Sequence, residues 1–153
     1  MKRSYFPSRP GDPAPLAASI ERRVRFEELD PLGIVWHGRY ASYFEDAREA
    51  LGRAYGLTYL DFHRHGLTAP IKRFEVDYVR PLTYPQTVRI DCRLHYAEAA
   101  RLNYEFRIST AAGEPATTGA TVHLLLDAAR ELVVVQPPFL ADFCRRWREG
   151  RLP

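Results

Sequence analysis

Residues 27–48 read EELDPLGIVWHGRYASYFEDAR and join a strand-like run to the longest helix-like run of the chain. Between the two runs lie an acid, Asp30, a turn glycine, Gly33, and a histidine, His37. The first turn of a helix leaves backbone N–H groups without partners inside the helix, and such groups bind negatively charged oxygen atoms. An acid placed shortly before such a helix start predicts a site where a carbonyl group is polarised and attacked.

The helix is predicted from the spacing of apolar residues within residues 39–55. These residues recur at intervals of three and one: Tyr40, Tyr43, Phe44, Ala47, Ala50, Leu51, Ala54 and Tyr55. The spacing places them on one face of a helix and excludes a strand. Gly56 predicts the end of this helix. A second, short helix is predicted over residues 58–65, with Thr58 as its N-cap.

Downstream of residue 68 the chain is predicted to form an antiparallel sheet. The strand-like runs are residues 73–78, 88–96, 102–108, 118–126 and 132–135. Alternation of polar and apolar residues indicates a sheet with one buried face and one wet face, which favours antiparallel pairing. An earlier strand is predicted over residues 22–28 and a closing helix over residues 139–148. A helix with one apolar stripe must bury it against such a sheet, so the predicted fold class is α+β with two layers.

The length and composition fit one globular domain. The chain has 153 residues, of which 46% are hydrophobic and 27% are charged. A formal net charge of +3 is too small to argue for nucleic-acid binding. Residues 1–20 are rich in proline and are expected to form an extended or disordered tail. Residues 21–148 are expected to form the domain, and residues 149–153 a C-terminal tail.

The expected location is the cytoplasm. Cys92 and Cys144 lie far apart and in no motif, so a reduced protein without disulfides is expected. The sequence has no apolar run long enough to predict a signal peptide or a membrane span.

Other catalytic motifs do not occur in the sequence. His63 and His65 lie two residues apart, so on a helix their side chains diverge and do not predict a metal site. There is no G-x-S-x-G elbow and no glycine-rich phosphate loop. Asp30 has an alternative interpretation, because D-P-L-G is a favourable β-turn sequence in which the aspartate serves only the turn. His37 also has an alternative interpretation, because a polar residue at a helix start often only forms hydrogen bonds with backbone groups.

Residues 30–48, DPLGIVWHGRYASYFEDAR, resemble the signature of the 4-hydroxybenzoyl-CoA thioesterase family. That signature is approximately D-x-x-G-x-V-x-H/Y-x-N-Y-x-x-Y/F-F-E-x-A-R. The resemblance continues through GLTAPIKRFEVDYVRP, residues 66–81. It implies a hotdog fold, in which an antiparallel sheet wraps one long helix, and it implies hydrolysis of acyl-CoA thioesters.

The resemblance also implies roles for individual residues. Asp30 matches the carboxylate that attacks the thioester carbonyl or activates a water molecule, and His37 matches the residue whose backbone N–H helps to form the oxyanion hole. The residues expected to support the site are Gly33, Trp36, Gly38, Glu45 and Arg48. Those expected to bind substrate are Tyr40, Lys72, Arg73 and Arg80. No metal ion and no cofactor are expected, since coenzyme A is part of the substrate.

The expected partners are the acyl-CoA substrate and further copies of the chain. Thioesterases of this family form homodimers or homotetramers, and a free sheet edge would be covered by such pairing. Arg39 departs from the family pattern, which has asparagine at this position. Two alternatives remain open: a hotdog enoyl-CoA hydratase or dehydratase, which needs a histidine and an acid placed to move a proton at Cα, and an acyl-CoA-binding module without turnover, of which Arg39 is the mark. The identity of the acyl group is also left open: it is aromatic or aliphatic, and small or medium in size.

Overall fold

The computed structural model describes residues 4–153, which form one five-stranded antiparallel sheet and three α-helices. The strands are β1 (Leu16–Arg23), β2 (Ile71–Tyr78), β3 (Thr87–His95), β4 (Arg101–Thr110) and β5 (Pro115–Leu124). The helices are α1 (Tyr40–Tyr55), α2 (Tyr59–Arg64) and α3 (Pro138–Arg148), and 3-10 turns lie at Phe26–Glu28 and His37–Arg39. The strand order is β1-β3-β4-β5-β2, so β1 and β2 are the two edges. The predicted α+β fold with a long helix on an antiparallel sheet is confirmed.

Helix α1 packs against the centre of the sheet. Its Phe44 ring stacks on Phe106 of β4, with ring centroids 4.4 Å apart and an interplanar angle of 3°. Gly119 of β5 makes this approach possible, because a Cβ atom there would lie 2.5 Å from the Phe44 ring and 2.6 Å from the Glu75 carbonyl oxygen. Burial of each large side chain in this layer contributes about 1.5–3 kcal/mol. A glycine in the middle of a strand therefore sets how closely helix and sheet approach.

The predicted end of the first helix at Gly56 and the predicted start of the second helix at Thr58 are both confirmed. Helix α1 ends at Gly56, whose φ of +80° permits the left-handed cap and whose N–H donates to Gly52 O at 2.8 Å. Helix α2 begins at the capping box of Thr58 and Asp61, in which each side chain accepts a backbone N–H from the other residue.

Two predicted strands are wrong. The first strand is β1, at Leu16–Arg23, whereas residues 26–28 of the predicted strand form a 3-10 turn with Phe26 74% exposed. β1 begins directly after the proline-rich stretch because its residues pair in register with β3, from Leu16 opposite Leu94 to Arg23 opposite Thr87.

The predicted strand at residues 132–135 is reduced to one isolated bridge between Leu126 and Leu132. Val134 and Val135 are both 76% exposed. Val133 N–H still donates to Leu125 O at 2.9 Å, but in the described part of the chain Val134 and Val135 belong to no strand, so the run does not extend the sheet.

The proline-rich start is ordered over its described part. Residues 16–20, expected in the tail, form most of β1, and before them Ser4 and Phe6 contact Glu105 and His95 of the sheet. Residues 1–3 of the expected tail lie outside the described residues. None of the helices formed by residues 4–153 is long and apolar enough to cross a membrane.

Candidate active site

The loop between β1 and α1 folds back on itself as a narrow hairpin. Leu29 and Val35 form an antiparallel bridge, and Asp30 N–H donates to Ile34 O at 2.9 Å. One residue further out, Trp36 N–H donates to Glu28 O at 2.9 Å. These bonds bring the two ends of the loop together, so that Asp30 lies beside the chain that enters the helix.

Asp30 also stabilises the turn at the tip of this hairpin. Its Oδ1 accepts Leu32 N–H at 2.8 Å, and its backbone oxygen accepts Gly33 N–H at 2.9 Å. Gly33 has a φ of +76°, a conformation that glycine adopts without strain. The interpretation of Asp30 as a turn residue is therefore correct for Oδ1. Within residues 4–153 the hydrogen bond to this carboxylate engages Oδ1 and not Oδ2, and a catalytic role for Oδ2 stays a prediction.

The helix mouth is formed by His37, the first residue of the 3-10 turn that continues into α1. Within the described chain, no side chain caps this turn at Trp36. The N–H groups of His37 and Gly38 are the first of the turn and have no acceptor inside it. The carbonyl oxygen of His37 belongs to the peptide group that carries Gly38 N–H, and it accepts a hydrogen bond from the Tyr78 hydroxyl at 2.8 Å. The backbone at His37 is thus held in place from β2.

Trp36 and Gly38 shape the wall of the mouth. The Trp36 indole is 47% exposed and lies 5.0 Å from the His37 ring. A Cβ atom on Gly38 would lie 2.3 Å from the indole, so only glycine lets the ring lie over the first helical residues. The result is an apolar surface next to backbone donors.

Tyr40 lies below this surface and is only 2% exposed. Its ring meets Tyr78 edge-on, with centroids 4.9 Å apart. Burial raises the pKa of the Tyr40 phenol by more than its hydrogen bonds with Leu82 and Thr117 lower it, and the Asp30 carboxylate adds to the increase. The phenol therefore stays neutral near the Asp30 carboxylate. Its predicted contact with substrate stays a prediction, since Tyr78 covers it in the described chain.

A buried carboxylate, Glu28, anchors the base of the loop, and the sequence prediction missed it. Glu28 is 2% exposed. It accepts hydrogen bonds from the Tyr43 hydroxyl at 2.5 Å, from Arg25 N–H at 3.0 Å and from the Arg22 guanidinium. Arg22 also donates to Asp46 at 2.8 Å. Glu28, two residues before Asp30, therefore connects the loop to strand β1 through Arg22 and to helix α1 through Tyr43.

The environment of Glu28 favours its charged form. Burial by itself would raise its pKa, but the Arg25 amide, the Tyr43 hydroxyl and the Arg22 guanidinium together lower it below its usual value. The sequence gives little sign of this cluster, because Arg22 and Tyr43 are six and fifteen residues away from Glu28. The one local contact is the hydrogen bond from Arg25 N–H to Glu28, three residues away, and arginine is not a residue type that predicts a helix cap.

Other predicted site residues lie further from the loop. Glu45 and Arg48 form an ion pair on α1, and the Arg48 guanidinium lies 6.0 Å from the Tyr104 ring of β4. The pair therefore contacts the sheet under the middle of the helix. Its supporting role stays a prediction.

The basic residues predicted to bind substrate lie on or after β2. Lys72 is exposed, and Arg73 and Arg80 pair with Glu75 and Glu114. The hairpin thus holds Asp30 and Gly33 on the loop that leads into Trp36, His37 and Gly38. The described partners of Arg73 and Arg80 are the carboxylates of Glu75 and Glu114, and the substrate-binding role of the three basic residues stays a prediction.

Arg39, the departure from the family pattern, bridges the loop. Its Nη2 donates to Glu27 O at 3.4 Å, so it links the helix start to the residue before the anchored Glu28. Among residues 4–153, no group of three or more His, Cys, Asp or Glu side chains is arranged to hold a metal ion.

Comparison with known proteins identifies the family. The sequence matches the thioesterase-like superfamily over residues 24–144. YneP of Bacillus subtilis, named for a proposed acyl-CoA thioesterase activity, is 29% identical over 107 residues, 70% of this chain and 78% of that protein. The 1,4-dihydroxy-2-naphthoyl-CoA hydrolase of Synechococcus elongatus is 28% identical over 126 residues, 81% of this chain and 92% of that protein.

Solved structures agree with the sequence match. The crystal structure of the DHNA-CoA thioesterase from Staphylococcus aureus superposes with a TM-score of 0.74 at 27% identity, covering 88% of this chain and 87% of that one. The hotdog fold and the thioesterase family predicted from residues 30–48 are both confirmed. With most of its length matched, this chain belongs to the thioesterase-like superfamily.

Proposed function

We propose that the chain hydrolyses the thioester of a small or medium acyl-CoA to the free acid and coenzyme A. The observation that carries this proposal is the narrow hairpin, which holds Asp30 beside the uncapped helix mouth at His37. Hydrolysis of a thioester needs a nucleophile or base and a donor for the developing oxyanion, and these two elements supply them. The thioesterase names of the relatives support the same reaction class.

Two routes use the same groups. In the first, Asp30 takes a proton from a water molecule as the water oxygen attacks the carbonyl carbon. The tetrahedral oxyanion is held by the N–H groups at His37 and Gly38, and it collapses as the C–S bond breaks. The proton on Asp30 then passes to the departing thiolate.

In the second route, Asp30 itself attacks the carbonyl carbon, and coenzyme A leaves as a thiolate that takes a proton from solvent. The mixed anhydride that remains on Asp30 is hydrolysed by water, which regenerates the carboxylate. In both routes one molecule of water is consumed for each thioester. Removing one oxyanion donor typically lowers the rate by about 10²–10³.

We also propose that the chain works as a homodimer or homotetramer. β2 is a sheet edge, and the exposed apolar residues Ile71, Phe74, Tyr78 and Val79 lie on it or directly after it. Such an edge favours pairing with the same strand of a second copy. The Tyr78 contact with His37 places this edge next to the helix mouth.

The test is the release of free thiol from a panel of aromatic and aliphatic acyl-CoAs. Asp30→Asn keeps an oxygen that accepts Leu32 N–H, so the turn is retained while the charge is lost. The matched control is Asp127→Asn, because Asp127 Oδ1 also stabilises a turn, by accepting Ala129 and Glu131 N–H at 2.9 Å.

We expect Asp30→Asn to lose at least about 100-fold in kcat, the lower range for a general base, while the control keeps the wild-type rate. Equal rates in all three proteins would remove Asp30 from the reaction. Hydration of an enoyl-CoA without thiol release, followed by its absorbance, would assign the chain to the hydratases. Tight binding of acyl-CoA by calorimetry, with neither reaction, would indicate a binding module.

A further inference from the structure

A groove of about 420 Å³ lies where β3 turns into β4. Residues 4–14, here called the N-terminal segment, supply one wall, and residues 96–103 supply the other. The Trp147 indole holds the first wall by donating to Ala14 O at 3.0 Å. Gln136 Nε2 holds the second wall by donating to two of its carbonyl oxygens, at 3.0 Å and 3.2 Å. Both walls are therefore fixed by the fold, and the volume is within the range of about 300–1,000 Å³ that is typical of small-molecule sites.

This groove is far from the candidate active site. The hairpin loop that carries Asp30 is tied to the chain before β3, because Val35 N–H donates to Leu82 O at 2.9 Å. The groove begins at Tyr96, directly after β3. β3 has nine residues and spans about 30 Å at about 3.4 Å per residue. A ligand in the groove therefore occupies a place that the proposed reaction does not use.

One wall of the groove carries hydrogen-bond donors without acceptors. Arg101 Nε donates to Asn103 Oδ1 at 2.8 Å, and within residues 4–153 this is the one hydrogen bond of either side chain. Asn103 lines the groove and is only 8% exposed, so its Nδ2 group is largely removed from water without a partner. Burial of an amide donor without an acceptor is unfavourable. A negatively charged oxygen atom in the groove would accept from this amide and from the Arg101 guanidinium.

The opposite wall supplies a second arginine. Arg9 N–H donates to Asp12 Oδ2 at 2.7 Å and Asp12 N–H donates to Arg9 O at 3.1 Å, so a turn fixes this part of the segment. In the described part of the chain the Arg9 guanidinium forms no ion pair. Asp12 and Glu98 also line the groove, so the positive charges of Arg9 and Arg101 face two negative charges. Such a site accommodates a single negative charge and disfavours a doubly charged phosphate.

Aromatic rings complete the lining of the groove. The Tyr96 ring packs edge-on against Trp147, and the Phe6 ring lies near the His95 ring, with centroids 5.4 Å apart in both pairs. The Arg148 guanidinium lies 6.0 Å from the Tyr96 ring and adds a positive charge nearby. Because aromatic rings pack favourably on one another, these fixed rings suit a ligand with a planar apolar body.

We propose that this groove binds a small organic anion that carries one carboxylate on a planar apolar body. The carboxylate accepts hydrogen bonds from Arg101 and Asn103, and the body lies against Phe6 and Tyr96. Because the N-terminal segment forms one wall, an occupied groove stabilises the segment against the sheet. This inference does not depend on the proposed reaction.

The test is a titration of the ¹⁵N-labelled full chain with 1-naphthoate, followed by NMR. The chain has two tryptophans, whose indole N–H signals report on different places: Trp36 lies at the helix mouth, and Trp147 lies beside Tyr96 of the groove. Trp36→Phe assigns the two signals. We expect the Trp147 signal to shift with 1-naphthoate until the site is saturated.

Two related compounds test the charge of the ligand. The neutral 1-naphthamide and the more highly charged 1-naphthyl phosphate share the planar body of 1-naphthoate. We expect both to bind at least about tenfold more weakly, because the first lacks the charge and the second is opposed by Asp12 and Glu98.

Two substitutions identify the groups that bind the carboxylate. Arg101→Gln removes the guanidinium, and we expect it to weaken binding at least about tenfold, since hydrogen bonds to charged groups are the stronger ones. Asn103→Asp keeps an oxygen that accepts Arg101 Nε but replaces the free amide with a negative oxygen, and we expect saturable binding to be lost. The matched control is Arg23→Gln, which removes one exposed positive charge opposite Thr87, at the other end of β3, and changes the affinity by less than about twofold.

Circular dichroism of every variant establishes that the fold is retained. The proposal would be overturned by a Trp147 signal without saturable shift, by equal affinity for 1-naphthamide, by tighter binding of 1-naphthyl phosphate, or by unchanged affinity in Arg101→Gln. A shift confined to the Trp36 signal would also overturn it, because the ligand would then lie at the helix mouth.

Discussion

The buried carboxylate of Glu28 offers the sharpest test of how the loop is held. In the Arg22–Glu28 pair the side chains are 12% and 3% exposed, so both charges are largely removed from water. Removing one partner of a buried pair costs about 3–5 kcal/mol, since the other charge is left without compensation. Arg22 keeps its 2.8 Å bond to Asp46, so we expect Glu28→Gln to lower the free energy of unfolding by about 3 kcal/mol, the lower end of that range.

The assay is urea denaturation at neutral pH, followed by circular dichroism. The matched control is Glu27→Gln, the adjacent carboxylate, whose side chain is 67% exposed and whose pair with Arg25 spans 3.7 Å. An exposed pair of this kind contributes about 0–1 kcal/mol. A loss below about 1 kcal/mol for Glu28→Gln would refute the view that this pair anchors the loop.

The same variant has a defined pH dependence. The pKa of Glu28 is lowered on folding, so the stability it contributes is present above its ordinary value of 4.5 and is lost as the pH falls through the folded value. We therefore expect the difference between wild type and Glu28→Gln to be constant at neutral pH and to shrink in acid below about pH 4.5. A difference that stays constant down to acid unfolding would contradict this assignment.

Three further predictions concern the site and the fold. Tyr78→Phe removes the hydrogen bond to His37 O, worth about 0.5–1.5 kcal/mol, so we expect kcat for thiol release to fall by up to about tenfold with KM little changed. Gly119→Ala places a methyl group against the Phe44 ring, and we expect a loss of about 1–3 kcal/mol in urea denaturation, so that a wild-type free energy of unfolding would contradict this contact. Thr58→Ala removes the α2 cap, and we expect a loss of about 1 kcal/mol with Thr58→Ser close to wild type.

Much of the fold follows from periodicity. The apolar stripe of α1, ended by Gly56, and the alternation of β2, β3 and β4 are local patterns, and they place these elements within a few residues of their observed positions. β1 was misplaced because its residues are mostly small or charged and follow several prolines. Leu16, Ala18 and Ile20 do alternate inward, but the strand is defined by pairing with β3, which no local pattern records.

The candidate site was predictable in part. The Asp30 turn and the helix mouth lie within nine residues of each other, so a local motif describes them. The anchor at Glu28 depends on Tyr43 and Arg22, which meet only after the helix has packed on the sheet. Phe26 falls in a predicted strand because residues 22–28 partly alternate, and Val134 because residues 132–135 are an apolar run, although both residues are exposed. The wrongly predicted strands are therefore those whose position depends on pairing with distant residues and not on a local pattern.

A single hydroxyl joins the free edge of the sheet to the place where a substrate carbonyl would be held, because Tyr78 belongs to β2 and donates to His37 O. Thermodynamic linkage makes such a connection reciprocal: whatever binds along β2 and moves this tyrosine changes affinity at the helix mouth by some factor, and substrate changes affinity along β2 by the same factor. An occupant of β2 that shifted the Tyr78 hydroxyl would therefore change binding at the helix mouth, and an occupant of the helix mouth that shifted it would change binding along β2.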